Sequence, residues 1–208
     1  MVWVVVVAAG RGERYGAPKQ YEPIAGRRVL DWSLDAARAV AGGIVLVVAP
    51  GREHDPEPVD AVVVGGATRS ASVRAGLTAV PEDADVIVVH DAARPAADGG
   101  LFAAVVRAVL DGADAAVPGV AVVDTVKRVD AGGVVVETLD RDELVAVQTP
   151  QAFRADVLRS AHAGGAEASD DAALVEAAGG RVVVVPGDLR NIKLTTAADR
   201  ARLEDVLR

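Results

Sequence analysis

The chain opens on an apolar run that breaks into a glycine-rich turn: Val4-Val5-Val6-Val7-Ala8-Ala9-Gly10-Arg11-Gly12-Glu13-Arg14, followed by Tyr15-Gly16-Ala17-Pro18-Lys19-Gln20. A short unbroken run of this kind reads as a parallel strand buried on both faces. Such a strand delivers its following loop to the carboxyl edge of an open sheet, where α/β folds place their ligands. Gly10 and Gly12 leave room beside the main chain, while Arg11, Arg14 and Lys19 add positive charge. In outline this is a polyphosphate site, with another anion or an ordinary strand-to-helix turn as alternatives. The dinucleotide fingerprint G-x-G-x-x-G fails at its third glycine, because Gly16 comes one place too late, and no Gly-Lys-Ser/Thr ending marks a P-loop.

The following elements repeat the same grammar. Leu30, Leu34, Ala37 and Ala41 fall at helical spacing and predict a first crossover helix over 29–41, and Ile44 to Val48 then reads as the next buried strand. Ala61 to Val64 forms another, ending at Gly65-Gly66, and a helix is expected from Thr68 to Val80. Glycines and hydroxyls at a helix start can hold a base, sugar or phosphate, and plain capping is the alternative. Val86 to Val89 is a strand that ends in His90-Asp91-Ala92-Ala93-Arg94-Pro95. There Asp91 can hold a divalent cation and Arg94 a phosphate, or the two can pair with each other.

Beyond a buried helix over 101–110 and a strand over 114–118, the texture changes. From Ala121 to Val147 the pieces are short and charged, with strands over 122–129 and 134–139 around Asp130-Ala131-Gly132-Gly133. This predicts a projecting hairpin arm rather than another βαβ unit, and its half-apolar surface calls for a second subunit. Thr149 to Phe153 is read as leading into a helix through Ser160, and Ser169-Asp170-Asp171 as capping the next. A strand over 181–185 and a short edge over 191–195 follow, and Thr196 with Asp199 forms a capping box for the last helix. Lys193, between the last strand and last helix, can return to the phosphate site. The expected fold is α/β: a Rossmann-like, mostly parallel sheet flanked by helices, in one domain over 1–208 with the β-arm subregion at 121–147.

Composition narrows the chemistry. The 208 residues include no cysteine, which excludes disulfides, thiolate catalysis and Cys-ligated metal. Formal net charge is -8, against any non-specific nucleic-acid or anionic-membrane surface. The apolar start carries no basic leader and is too short to span a bilayer, so a cytoplasmic protein is expected.

Taken together, Ala8 to Arg14 with Pro18-Lys19-Gln20, Gly65-Gly66 with Arg69 and Ser72-Val73, and His90 to Pro95 resemble the 2-C-methyl-D-erythritol 4-phosphate cytidylyltransferase family. The resemblance continues through Asp124 to Arg128, Thr138 to Arg141, Gln148 to Gln151, Ser169 to Ala172 and Asn191 to Thr195, in order along nearly the whole chain. It implies a nucleotidyltransferase fold and transfer of CMP from CTP to methylerythritol phosphate, with Mg²⁺ on Asp91. It implies Arg14, Lys19 and Lys193 as catalytic cations. Ala8, Ala9, Gly10, Gly12, Gly65, Gly66 and Ser72 would hold the cytosine and ribose of CTP. Arg94, Thr125, Arg141 and Thr149 would meet the acceptor, with Arg141 given to the neighbouring active site of a homodimer. Ala67, Tyr15 and Arg190 depart from the family pattern without removing a phosphate-neutralising residue. A ribitol 5-phosphate cytidylyltransferase and a nucleotide sensor without turnover are the competing readings.

Overall fold

The computed structural model describes residues 1–10, 12 and 15–208. Strand β1 (Val2–Ala8) leads through the glycine turn to a small antiparallel pair, β2 (Pro23–Ile24) and β3 (Arg27–Arg28), a ladder too short to register in the sequence. Helix α1 (Val29–Arg38), β4 (Gly43–Val48), β5 (Ala61–Val64), α2 (Arg69–Leu77) and β6 (Val86–Asp91) follow, then α3 (Gly99–Leu110) and β7 (Ala115–Ala121). The arm contains β8 (Lys127–Val129) and β9 (Val135–Thr138). The chain closes with β10 (Val145–Val147), β11 (Gln151–Arg154), α4 (Ala155–Ala163), α5 (Asp171–Ala177), β12 (Val182–Pro186) and α6 (Ala197–Val206).

The main sheet is Rossmann-like and mostly parallel. β1 lies between β4 and β6, parallel to both, and β5 extends the β4 side in parallel. The chain thus leaves β1 on one side and later returns to the other. That reversal opens a crevice at the carboxyl ends of β1 and β6, where Val7 is paired with Asp91. Alternate residues of β1 explain its all-apolar sequence. Val4, Val6 and Ala8 join Leu30, Leu34, Phe102 and Val105 on the face covered by α1 and α3, while Val5 joins Val47, Val73, Phe153 and Leu158 on the other.

Three expectations are corrected here. Residues Gln151–Arg154 do not simply run into a helix: they form β11, antiparallel to both β6 and β7 at the centre of the sheet. The alternation signal is lost because Gln151, Ala152 and Phe153 are all buried. Val145–Val147, read as part of the arm, forms β10 and returns to the sheet by pairing with β7 at Gly119, Val120 and Ala121. The expected edge over 191–195 is not a strand; it is irregular chain. Its backbone is tied instead by Leu194 N–H donating to Ala93 O (2.8 Å), and the Leu194 side chain is fully buried with Ile24, Val29 and Leu203.

The hairpin is present, with Lys127 opposite Thr138 and a register shift after Arg128. Among the described residues its apolar side chains are left largely uncovered: Val134 is 63% exposed and Val136 57%. Among the described residues no helix is long and apolar enough to cross a membrane.

Candidate active site

A cavity of about 980 Å³ occupies the crevice at the carboxyl ends of β1 and β6. Its floor is Ala8, Ala9 and Gly10 at the end of β1. The Gln20 side chain holds this segment, Nε2 donating to Ala8 O (2.7 Å) and Gly10 O (3.1 Å). Gln20 is 3% exposed, a buried amide whose two donors are used to shape the loop. Gly12 sits at φ +67°, and a Cβ there would meet Ala17 O at 1.8 Å, so glycine is required for the turn to fold back.

One wall is the start of α2. Thr68 caps it, its hydroxyl accepting from Ala71 N–H (3.0 Å), and the Ser72 hydroxyl donates to Thr68 O (2.9 Å). The capping alternative therefore holds for Thr68, and it coexists with a place on the cavity wall. Gly65 is packed so closely that an added Cβ would lie 2.5 Å from Ala9 Cβ and 2.8 Å from Ser72 Oγ. A side chain at this position would force the wall away from the floor.

Asp91, the last residue of β6, is the carboxylate among the described lining residues. It does not pair with Arg94. Arg69 Nε donates to its Oδ1 (3.0 Å) and Lys193 Nζ to its Oδ2 (2.6 Å). Burial raises its pKa, but the two cations outweigh that and hold the carboxyl well below the usual carboxylate range. Arg94 instead donates Nη1 to Asn191 O (2.7 Å). Lys193 reaches the site because Leu194 beside it is anchored in its own small core and because Asn191 Nδ2 donates to Thr149 O (2.9 Å).

Of the residues singled out in the sequence, Ala8, Ala9, Gly10, Gly12, Lys19, Gly65, Gly66, Ser72, Asp91 and Lys193 line this one cavity. Arg11 and Arg14 lie outside the described residues. Arg94, Thr125, Arg141 and Thr149 are not among its lining. Thr125 is on the exposed arm, where Arg141 Nη1 donates to Val123 O (2.6 Å). Thr149 stands behind the site: its hydroxyl accepts from Asp91 N–H (3.1 Å) and lies 3.2 Å from His90 Nδ1.

His90 is fully buried against Phe102, and burial pushes its pKa down to about 3. It is a neutral structural ring with no accessible proton at ordinary pH. The residue that sequence reasoning underweighted is Arg69. It stands in the Gly65-Gly66-Ala67-Thr68-Arg69 run, but only the fold brings it to Asp91 and, through Nη1, to Asp171 Oδ2 (2.7 Å).

Asp91 offers one carboxylate, and no group of three or more His, Asp or Glu side chains gathers as a metal site among the described residues. A single carboxylate with unused lone pairs fits Mg²⁺, which takes most of its ligands from phosphates and water. The cavity thus has backbone and small side chains on two walls, with Lys19, Arg69, Asp91 and Lys193 among its lining.

Comparison with known proteins identifies the family. The sequence model of 2-C-methyl-D-erythritol 4-phosphate cytidylyltransferase matches residues 2–208. The chain is 46% identical to a protein of that name from Nocardia farcinica, covering 99% of this chain and 94% of that protein. It is 47% identical to the bifunctional enzyme IspD/IspF of Clavibacter michiganensis, covering 98% of this chain but spanning only 54% of that longer protein. The crystal structure of 2-C-methyl-D-erythritol 4-phosphate cytidylyltransferase from Thermus thermophilus is 35% identical and superposes with a TM-score of 0.82 over 98% of both chains. By sequence along its length, by sheet topology and by the cavity at the end of its first strand, the chain belongs to the 2-C-methyl-D-erythritol 4-phosphate cytidylyltransferase family and is a nucleotidyltransferase.

Proposed function

We propose that the cavity at the ends of β1 and β6 carries out the family's reaction: CTP and 2-C-methyl-D-erythritol 4-phosphate give 4-diphosphocytidyl-2-C-methyl-D-erythritol and diphosphate. The observation that carries this reading is the meeting of Lys19, Asp91 and Lys193 with the glycines Gly10, Gly12, Gly65 and Gly66 in one space. Cytosine and ribose lie along Ala8, Ala9, Gly10, Gly12, Gly65, Gly66 and Ser72, whose small side chains let a planar base approach the backbone. The triphosphate faces Lys19 and Lys193, and the family resemblance adds Arg14 as a third cation.

An oxygen of the acceptor phosphate attacks the α-phosphorus of CTP, a new P–O bond forms, and the bond to the β-phosphate oxygen breaks in line. Diphosphate leaves with that electron pair. The attacking oxygen is already anionic, so no protein base is needed, and the buried neutral His90 has no proton to move. What the chain supplies is alignment and charge. Lys193, paired with Asp91 Oδ2 in the free protein, turns to the transferring phosphate, and Lys19 neutralises the remainder. Asp91 would hold Mg²⁺, which supplies charge neutralisation on the phosphate oxygens.

Acceptor binding is assigned to Arg94, Thr125, Arg141 and Thr149. Thr149 acts chiefly from behind, because its hydroxyl is already engaged by Asp91 N–H and His90. Thr125 and Arg141 lie on the exposed arm, and they serve a neighbour's site in a homodimer whose interface covers the arm's valines. Diphosphate release with CTP and Mg²⁺ tests the reading, run with methylerythritol 4-phosphate, ribitol 5-phosphate and no acceptor. Release specific to methylerythritol phosphate is expected. A preference for ribitol phosphate overturns the acceptor, and silence with every acceptor overturns the enzyme.

A further inference from the structure

Behind Asp91 the charges continue inward in an order that the reaction above does not use. Arg69 is the first residue of α2, Asp91 the last of β6 and Asp171 the first of α5. Three elements remote in sequence therefore end at one point. The Arg69 guanidinium bridges the two carboxylates, Nε to Asp91 Oδ1 at 3.0 Å and Nη1 to Asp171 Oδ2 at 2.7 Å. Asp171 is fully buried, does not line the cavity, and has its other oxygen 3.0 Å from His162 Nε2, itself 3% exposed. A buried carboxylate is costly unless paired, so a chain that keeps two of them around one arginine needs a reason.

The reason lies in charge and orientation. Arg69 alone would cancel Asp91 and leave it with no net attraction for a cation. With Asp171 on its far side, the trio of Asp91, Arg69 and Asp171 sums to one negative charge. That charge is offered on Asp91 Oδ2, the oxygen that Lys193 occupies. Meanwhile the fork of Arg69, gripped from behind, fixes the carboxylate plane by its Oδ1.

We propose that Arg69 and Asp171 are positioning residues for the nucleotide site: Arg69 orients Asp91, and Asp171 restores the negative charge that Arg69 would otherwise cancel, so that Asp91 can exchange Lys193 for a divalent cation. This rests on the nucleotidyltransferase reading. It gives distinct roles to two residues, one of them out of reach of any substrate. Outer partners of this kind typically change cation affinity or activity by roughly 10–100-fold when removed.

The test measures CTP binding by calorimetry with and without Mg²⁺, together with diphosphate release, in the parent, Asp171→Asn, Arg69→Lys and Arg69→Gln. Asp171→Asn keeps shape but neutralises the trio. The factor by which Mg²⁺ strengthens CTP binding is expected to fall roughly 10–100-fold, with metal-free CTP binding equal to or tighter than the parent's. Arg69→Lys keeps the charge but not the two-pronged grip: kcat falls while the Mg²⁺ factor stays within about threefold, and Arg69→Gln loses more than Arg69→Lys. Folding is followed by circular dichroism. Should Asp171→Asn not fold, the Arg69 pair decides, and unfolding of Arg69→Lys as well would overturn the inference by making the trio purely structural. Folded variants with the parent's Mg²⁺ factor and kcat overturn it too. A parent that binds no CTP and releases no diphosphate overturns the functional reading, and this inference with it; an active parent with indifferent variants overturns this inference alone.

Discussion

Gly65→Ala tests the cavity's construction directly, because one methyl group there bears on both fold and function. The added Cβ would lie 2.5 Å from Ala9 Cβ, 2.8 Å from Ser72 Oγ and 3.2 Å from Val47 Cγ1. Ordinary carbon contacts begin near 3.5 Å, so the approach to Ala9 is short by about 1 Å. Ala9 has no rotamer to change, and Val47 belongs to the fully buried β4. The relief must come from the backbone, by moving the floor of the cavity away from its wall. Overpacking of this kind costs about 1–3 kcal/mol, which for a chain of this size lowers the melting temperature by about 2–12 °C. The same displacement carries Ala9 and Ser72 off their proposed cytidine contacts, and a 1 Å misplacement costs roughly 100-fold in turnover. Thermal melts and CTP-dependent diphosphate release read the two effects. Gly164→Ala is the control: that residue sits in right-handed helical conformation with nothing within 4 Å of an added Cβ, and the change should leave stability unchanged or raise it by about 0.4–1 kcal/mol. If Gly65→Ala melts with the parent and keeps its KM for CTP, the close packing of wall on floor is refuted.

Three further outcomes follow from the site. Lys193→Gln should lower kcat by roughly 100-fold, about 3 kcal/mol of transition-state stabilisation, without loss of fold, since Arg69 still pairs with Asp91; a kcat within threefold of the parent would remove Lys193 from the chemistry. Arg141→Ala should raise KM for the acceptor while leaving CTP affinity intact. Mixed in equal amounts with Lys193→Gln, it should recover about a quarter of parent activity if the arm serves the neighbouring subunit, and no recovery would place Arg141 in its own site or none. His90 has a folded pKa near 3 against an ordinary 6.5, so between those values the unfolded chain binds the extra proton and stability rises with pH. Urea melts between pH 5 and 6.5, above the window where the depressed Asp91 titrates, should show a slope to which His90 contributes up to about 1.4 kcal/mol per pH unit and which His90→Gln lowers by that share; an unchanged slope would assign the acid sensitivity elsewhere.

Where local pattern decided the outcome, it could be read directly. The run of valines ending at Ala8-Ala9-Gly10 specified a strand buried on both faces and a loop at its carboxyl end. Thr196 with Asp199 specified a helix start that the fold retains, with Asp199 Oδ2 accepting from Thr196 N–H (2.7 Å). The turn at 130–133 specified a hairpin, because an Asp-Ala-Gly-Gly run between two short strand-like segments supplies the turn residues that join them. Gly65 and Gly66 before a helix start could be read locally only as a ligand edge or a plain cap; Ser72 and the nucleotide role of all three came from the family resemblance.

What the tertiary structure alone decided depends on residues brought together from far apart. Gln151-Ala152-Phe153 lacks alternation because β11 is enclosed between β6 and β7 with both faces covered, and no local pattern distinguishes that from a helix approach. Asp91 and Arg94, three residues apart, invited a pairing that the fold does not make; partners 22 and 102 residues away, Arg69 and Lys193, take the carboxylate instead. Asp171 looked like part of a helix cap, and Asp170 does cap α5, yet Asp171 turns inward to Arg69 and His162. Periodicity and capping are short-range and therefore legible in sequence. Which charge neutralises which is set by the sheet order that brings the ends of α2, β6 and α5 to one point, and the linear chain carries no local record of that meeting.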